Sequence, residues 1–289
     1  MTICNEELGC VVPQQLKETT SATPTNTEAH IIFVTDPICS HCWAIEPVWR
    51  RLVLNYNIKV RYIHGGLLPG WKDFGDAGNG ISKPTDVIPH WIHVAQYYQQ
   101  PIDPSVWKND PIENSYILCK AAIAVRVLAA NLESAFVRAM REQIFLHAIN
   151  VVKEAELNKC LESLYIDTDS ILTTLNSEAV NKIFEQDRQE MINLGARGFP
   201  SLIFNSQKST IISGSQPYPH IEQALLQNFG DAISLRDLPT TDKLASYKSW
   251  TLREACEVLQ VNELEARQRL IAHGFIKIKL AGNEFWQKD

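Results

Sequence analysis

No apolar run in this 289-residue chain approaches the ~20 residues that a bilayer-spanning helix needs. A membrane partner is therefore not expected. Positive charge is also scarce: 27 Lys and Arg stand against 33 Asp and Glu, a net charge of −6, so the whole-chain basic signature of a nucleic-acid binder is missing. The first twenty residues hold neither a cationic start nor the ~7–15-residue apolar core of a secretory leader, and the expected location is the cytoplasm. Cysteine is thin and odd in number, seven in all, which argues against a secreted scaffold stapled by disulfides. A second Cys-x-x-Cys and any His-x-x-x-His are both lacking, so the pair Cys39 and Cys42 has no partner set for zinc, and no metal is expected.

What is present is core-building material in ordinary amount, 45% hydrophobic against 21% charged, enough for one elaborate domain with an appendage. Residues 1–29 carry no aromatic side chain and read as a disordered or loosely packed tail that includes Cys4 and Cys10. "HIIFVT" (30–35) reads as a buried strand and "IKVRYIHGGL" (58–67) as a second. Between them a helix opens at the cysteines, and Pro47 is expected to kink it. After a loop-rich stretch with a short helix at "VIPHWIHVAQYY", the 3.6-residue periodicity of "YILCKAAIAVRVLAA", "LESAFVRAMREQIFLHAI", "EAELNKCLESL" and "EAVNKIFEQDRQEMINLG" makes residues 113–194 almost wholly helical. "PSLIFN", "STIISG" and "PHIEQALLQNF" then read as strand, strand and helix, followed by a polar linker over 231–249.

The motif "DPICSHCW" can be a redox pair, half of a metal site, or two buried thiols. Its context, directly after a strand and at the start of a helix, favours the redox pair. Free N–H groups and the dipole at a helix start stabilise an anion, so the Cys39 thiol is expected below its free value of ~8.5. Cys42, one turn on, is in reach to resolve a mixed disulfide. His41 is expected to add positive charge or a hydrogen bond near the sulfur, with Ser40 beside it. Asp36 is a candidate proton acceptor for Cys42 or a plain turn opener. Trp43, Trp71, Trp91 and Trp107 read as satellite core, with a peptide-binding surface as the alternative, Cys119 and Cys160 as packed thiols, and His147 as a core histidine at an interface.

A second constellation, "GARGFPSLIF" (195–204), sets Pro200 between a glycine-punctuated turn and a strand. Taken with the cysteines, the arrangement resembles the DsbA-like branch of the thioredoxin superfamily over residues 30 to about 229. The "CSHC" here is similar to the Cys-Pro-His-Cys of that branch, with Ser40 in place of proline, and Pro47 falls where thioredoxins carry a helix-kinking proline. The resemblance implies an α/β thioredoxin fold over 30–230 with an inserted α-helical domain at about 85–194. It also implies a cis bond at Phe199–Pro200 against the Cys39 sulfur, where the Phe199 backbone can pair with an extended substrate. An ordinary trans proline opening a strand is the plain alternative.

The last segment, 250–289, reads as helix, tight turn, helix and a hairpin turning at Ala281-Gly282-Asn283, and looks like a small winged-helix module. Six Lys and Arg there are balanced by six Asp and Glu, so nucleic acid is not the expected partner, and packing or protein contact is.

Two functions follow from resemblance. The first is a DsbA-like thiol–disulfide oxidoreductase or isomerase acting on protein or small-molecule thiols and disulfides. Its catalytic residues would be Cys39 and Cys42 and its only redox group their own disulfide, with no other cofactor. The second comes from "DPICSHCWAIEPVW", which is also similar to the SpxH (YjbH) adaptors of Gram-positive bacteria. Those present a regulatory protein to the ClpXP protease, with little or no turnover. Here the tail lacks the histidines that such adaptors carry before the first strand. The kappa-class glutathione transferases share the inserted-helix layout, but with a single Ser or Cys at the active turn.

Overall fold

The computed structural model describes residues 3–5, 9–11, 30–72 and 74–288, the first two stretches as backbone. They form a hairpin of β1 (Ile3–Asn5) and β2 (Gly9–Val11) in which Cys4 is directly opposite Cys10. The tail over 1–29, expected to be disordered or loosely packed, thus includes these two strands, which find an edge to pair with (below). The rest of that segment lies outside the described residues.

Strand β3 (Ile31–Thr35) leads to α1 (Ser40–Ala44), α2 (Glu46–Asn55) and β4 (Val60–His64). The helix after the cysteines is broken rather than merely kinked: α1 stops at Ala44, and α2 restarts with Pro47 in its first turn. A proline has no N–H to give the preceding turn but suits a helix start. The insertion follows as α3 (Val87–Tyr98), α4 (Val106–Asn109), α5 (Tyr116–Ala129), α6 (Glu133–Leu146), α7 (Glu154–Glu162), α8 (Thr168–Leu175) and α9 (Glu178–Asn193). Ser177 caps α9 and Asp167 caps α8 through their side-chain oxygens.

The chain returns through β5 (Gly198–Phe199), β6 (Ser201–Phe204), β7 (Thr210–Ser213) and α10 (Tyr218–Phe229). The central sheet has the order β4-β3-β6-β7, with β4 parallel to β3 and the others antiparallel. Alternation along β3 sorts the two cores. Ile31 and Phe33 face α2 and α10, packing with Trp49, Leu52 and Ile221. Ile32 and Val34 face the inserted helices, where Ile123, Phe145 and Phe184 belong to the larger core. Both faces are covered, as a sheet with a parallel pair requires. This is the expected thioredoxin fold with a helical insertion.

The remaining elements are α11 (Thr240–Lys243), β8 (Ser249–Thr251), α12 (Leu252–Leu259), α13 (Glu263–Ala272), β9 (Ile276–Leu280) and β10 (Asn283–Gln287). The three strands form an antiparallel sheet, β8-β10-β9, under the two helices. Ala281 and Gly282, both at positive φ, make the two-residue turn of the hairpin. Helix α12 packs on α2, and Leu54 of α2 joins the core built by Trp250, Val258 and Leu270. Stretch 231–249 is tied down as well: Asn57 pairs with Ser234, and Arg236 donates to the Tyr56 carbonyl at 3.0 Å.

Candidate functional site

Cys39 is the N-cap of α1, and its Sγ accepts the Cys42 N–H at 3.4 Å. The Cys39 thiol in turn donates to the Phe199 carbonyl, 3.6 Å away. The Phe199–Pro200 bond is cis. The structure therefore brings Cys39, Cys42, Phe199 and Pro200 to one place from opposite ends of the fold.

Solvent access differs from the sequence expectation. Cys39 and Cys42 are both 0% exposed, Ser40 and His41 nearly so, and Phe199 fully buried. Strand β2 lies antiparallel along β5, Cys10 opposite Phe199 and Val11 opposite Gly198. The peptide edge beside the thiols is thus filled by the chain's own N-terminal hairpin.

Burial reverses the expected acidity of Cys39. Its thiol is pushed well above the ordinary value by desolvation, and further by Cys42 as hydrogen-bond partner and neighbouring charge. Desolvation also opposes ionisation of Cys42. There it is outweighed by the hydrogen bond with Cys39, the Arg141 guanidinium, the Thr35 hydroxyl and the Asp36 backbone, so this thiol is held below its ordinary value. Of the two thiols, Cys42 is therefore the more acidic in the closed site.

His41 cannot supply the expected positive charge. It is buried, its ring nitrogens have no hydrogen-bond partner among the described residues, and desolvation, then His90 and His93, lower its pKa to about 3. It packs against the rings of His90 and Tyr98 as a neutral group. Ser40 Oγ lies 3.4 Å from His90 Nε2. Asp36 is occupied: its carboxylate accepts from the Ile38 and Leu67 N–H groups, the Ser115 hydroxyl and the Cys119 thiol. Burial raises its pKa. Cys119 is thereby a buried thiol with a specific partner, and Cys160 a packed one. His147 is exposed at the end of α6, not a core residue.

Several contributors carried no sequence motif. Arg141 donates to Glu46 at 2.6 Å and to the Thr35 hydroxyl, beneath the cysteines. Gly65 passes under the Phe199 ring with no room for a Cβ. Arg138 lies 4.4 Å over the ring of Trp43 and pairs with Glu254 at 2.5 Å. Their one trace in sequence is two arginines three residues apart inside an apolar helix face, "VRAMREQIF". Trp71, Trp91 and Trp107 meet edge to face around a small apolar cavity of about 40 Å³ beside Ser40. Among the described residues no three His, Cys, Asp or Glu side chains cluster as a metal site, and no helix is long and apolar enough to cross a membrane.

Comparison with known proteins decides the family. The thioredoxin family model matches residues 32–223. The chain belongs to the thioredoxin family. Curated relatives include the protein named ClpXP adapter protein SpxH of Halalkalibacterium halodurans, 26% identical over 78% of this chain and 76% of that one. The SpxH of Shouchella clausii is also 26% identical, over 92% of this chain and 89% of its own. Among solved structures, the cytosolic disulfide reductase DsbM of Pseudomonas aeruginosa, with GSH, superposes with a TM-score of 0.56. It is 17% identical and covers 68% of this chain and 98% of its own. The fold is therefore that of a DsbA-like thioredoxin-superfamily protein close to SpxH, with the inserted helices in place.

Proposed function

We propose that this chain performs thiol–disulfide exchange at Cys39 and Cys42, on protein or small-molecule disulfides in the cytoplasm. The supporting observation is the Cys39 Sγ held 3.6 Å from the Phe199 carbonyl, at a strand edge with which an extended peptide can pair once β2 leaves it. In this reading Cys39 attacks a substrate sulfur, the leaving thiolate takes a proton, and Cys42 attacks Cys39 to release the reduced substrate and close the Cys39–Cys42 disulfide. Phe199 and Pro200 seat the substrate backbone. His41 and Ser40 shape the turn, His41 as a neutral ring. The test compares wild type with Cys39→Ser and Cys42→Ser in a disulfide-reduction assay. Activity lost in the first and a trapped mixed disulfide in the second are expected; unchanged turnover in Cys39→Ser would remove the reading.

A second reading has its own support in the relatives named ClpXP adapter proteins, one of which matches 92% of this chain, and in the closed thiol site. In it the chain presents a regulatory protein to ClpXP. Accelerated degradation of that protein by ClpXP with a Cys39→Ser/Cys42→Ser chain is the expected result. No acceleration by the wild-type chain would set it aside.

A further inference from the structure

The hairpin at the start of the chain carries two cysteines that the exchange reaction above does not use. Register places Cys4 directly opposite Cys10. Opposed residues of an antiparallel pair have Cα atoms about 4.5–5.5 Å apart, inside the range of about 4.4–6.8 Å that a disulfide spans. The same register puts Cys10 opposite Phe199, whose carbonyl accepts from the Cys39 thiol. One strand spacing, about 4.8 Å, thus separates the Cys10 backbone from the backbone that Cys39 touches. Strand β1, on the outer side of β2, lies against the turn Ala77–Asn79. A segment that adds to this edge antiparallel, with a cysteine in register with Phe199, has the form of a bound substrate.

We propose that the Cys4–Cys10 pair is a resident substrate of Cys39 and Cys42. The proposal rests on the exchange reading above. A low-molecular-weight disulfide oxidises the hairpin by two successive exchanges, leaving a Cys4–Cys10 bond and two reduced small thiols. The Cys39 thiolate attacks the Cys10 sulfur; the Cys4–Cys10 bond breaks, Cys10–Cys39 forms, and Cys4 leaves and takes up the proton that Cys39 gave. Cys42 then attacks Cys39, and Cys10 departs with the Cys42 proton. The hairpin gains two electrons and two protons, and Cys39–Cys42 becomes the disulfide. While β2 is seated, an outside peptide has to displace it.

The experiment uses the full chain carrying Cys42→Ser, treated with glutathione disulfide, quenched by alkylation and mapped by peptide mass spectrometry. The expected major cross-link is Cys10–Cys39. A Cys10→Ser/Cys42→Ser chain should lose it and show glutathione on Cys39 instead. If Cys39 carries glutathione in the Cys42→Ser chain while Cys10 is alkylated, the resident-substrate proposal falls and the exchange reading stands. If Cys39 stays a free thiol in both chains, the exchange reading falls and takes the proposal with it. Far-UV circular dichroism matching wild type confirms that the compared chains are folded.

Discussion

Cys39 donates its thiol hydrogen to the Phe199 carbonyl across 160 residues of sequence. The bond joins the start of the first helix to the return of the chain from the helical insertion. It also marks the site as closed, because a thiol engaged this way, fully buried, holds its proton. Four consequences can be measured.

The acidity of Cys42 depends on the Thr35 hydroxyl as well as on Arg141. Thr35→Val keeps the shape of the side chain and removes the donor. A hydrogen bond to the charged form favours it, so the Cys42 thiol should titrate at higher pH in the variant than in wild type. Titration of thiolate absorbance reads this directly, and an unmoved curve would count against the Thr35 contact.

His41 should make the fold sensitive to mild acid. Its folded pKa is lowered to about 3, while the unfolded ring titrates near 6.5. The unfolded chain therefore binds the extra proton in that interval, so stability is full above 6.5 and is lost as pH falls toward 3. The slope attributable to one proton is up to about 1.4 kcal/mol per pH unit. Urea midpoints at neutral pH and near pH 5 should diverge less in His41→Phe than in wild type. A variant with the wild-type slope would show that His41 is charged in the fold.

Gly65 gives Phe199 its seat. A Cβ there would lie 2.5 Å from Phe199 Cε1 and 2.7 Å from Met191 Sδ. Gly65→Ala is expected to cost about 1–3 kcal/mol through overpacking. It should also slow modification or exchange at Cys39 when compared with a distant variant of equal stability. Full stability together with unaltered Cys39 reactivity would mean that the ring can move aside freely.

Glu254 is a buried carboxylate held by Arg138 and Arg50, and those two guanidiniums overcome its burial to keep its pKa low. Glu254→Ala leaves both arginines facing a void, and a loss of about 3–5 kcal/mol is expected in urea unfolding. A loss under about 1 kcal/mol would place the pair among weak surface bridges instead.

Much of the architecture was readable in the residues. The β-branched and aromatic run "IIFVT" and helical spacing from Tyr116 to Asn193 set the sheet and the insertion, and "CSHC" with "GFP" marked the candidate site. The helix break at Ile45 was harder to see, because Pro47 is compatible with a kink as well as a restart. The closing hairpin was not legible: Ile3–Asn5 and Gly9–Val11 are three-residue strands, too short to show alternation, and they order against an edge supplied from residue 198 onward. His41 and Cys39 were misread for one shared reason. Local sequence places them at a helix start, but their charge is governed by burial, which depends on what packs over that turn. Arg138 and Arg141 belong to the same class, since nothing local tells whether an arginine in an apolar helix meets a carboxylate.

The guanidinium of Arg138 touches two things at once, the indole that follows Cys42 and the carboxylate of Glu254. The C-terminal unit therefore has a grip on the redox turn without reaching either sulfur. Drawing helix α12 away from α2 would take with it the carboxylate that holds Arg138 over Trp43.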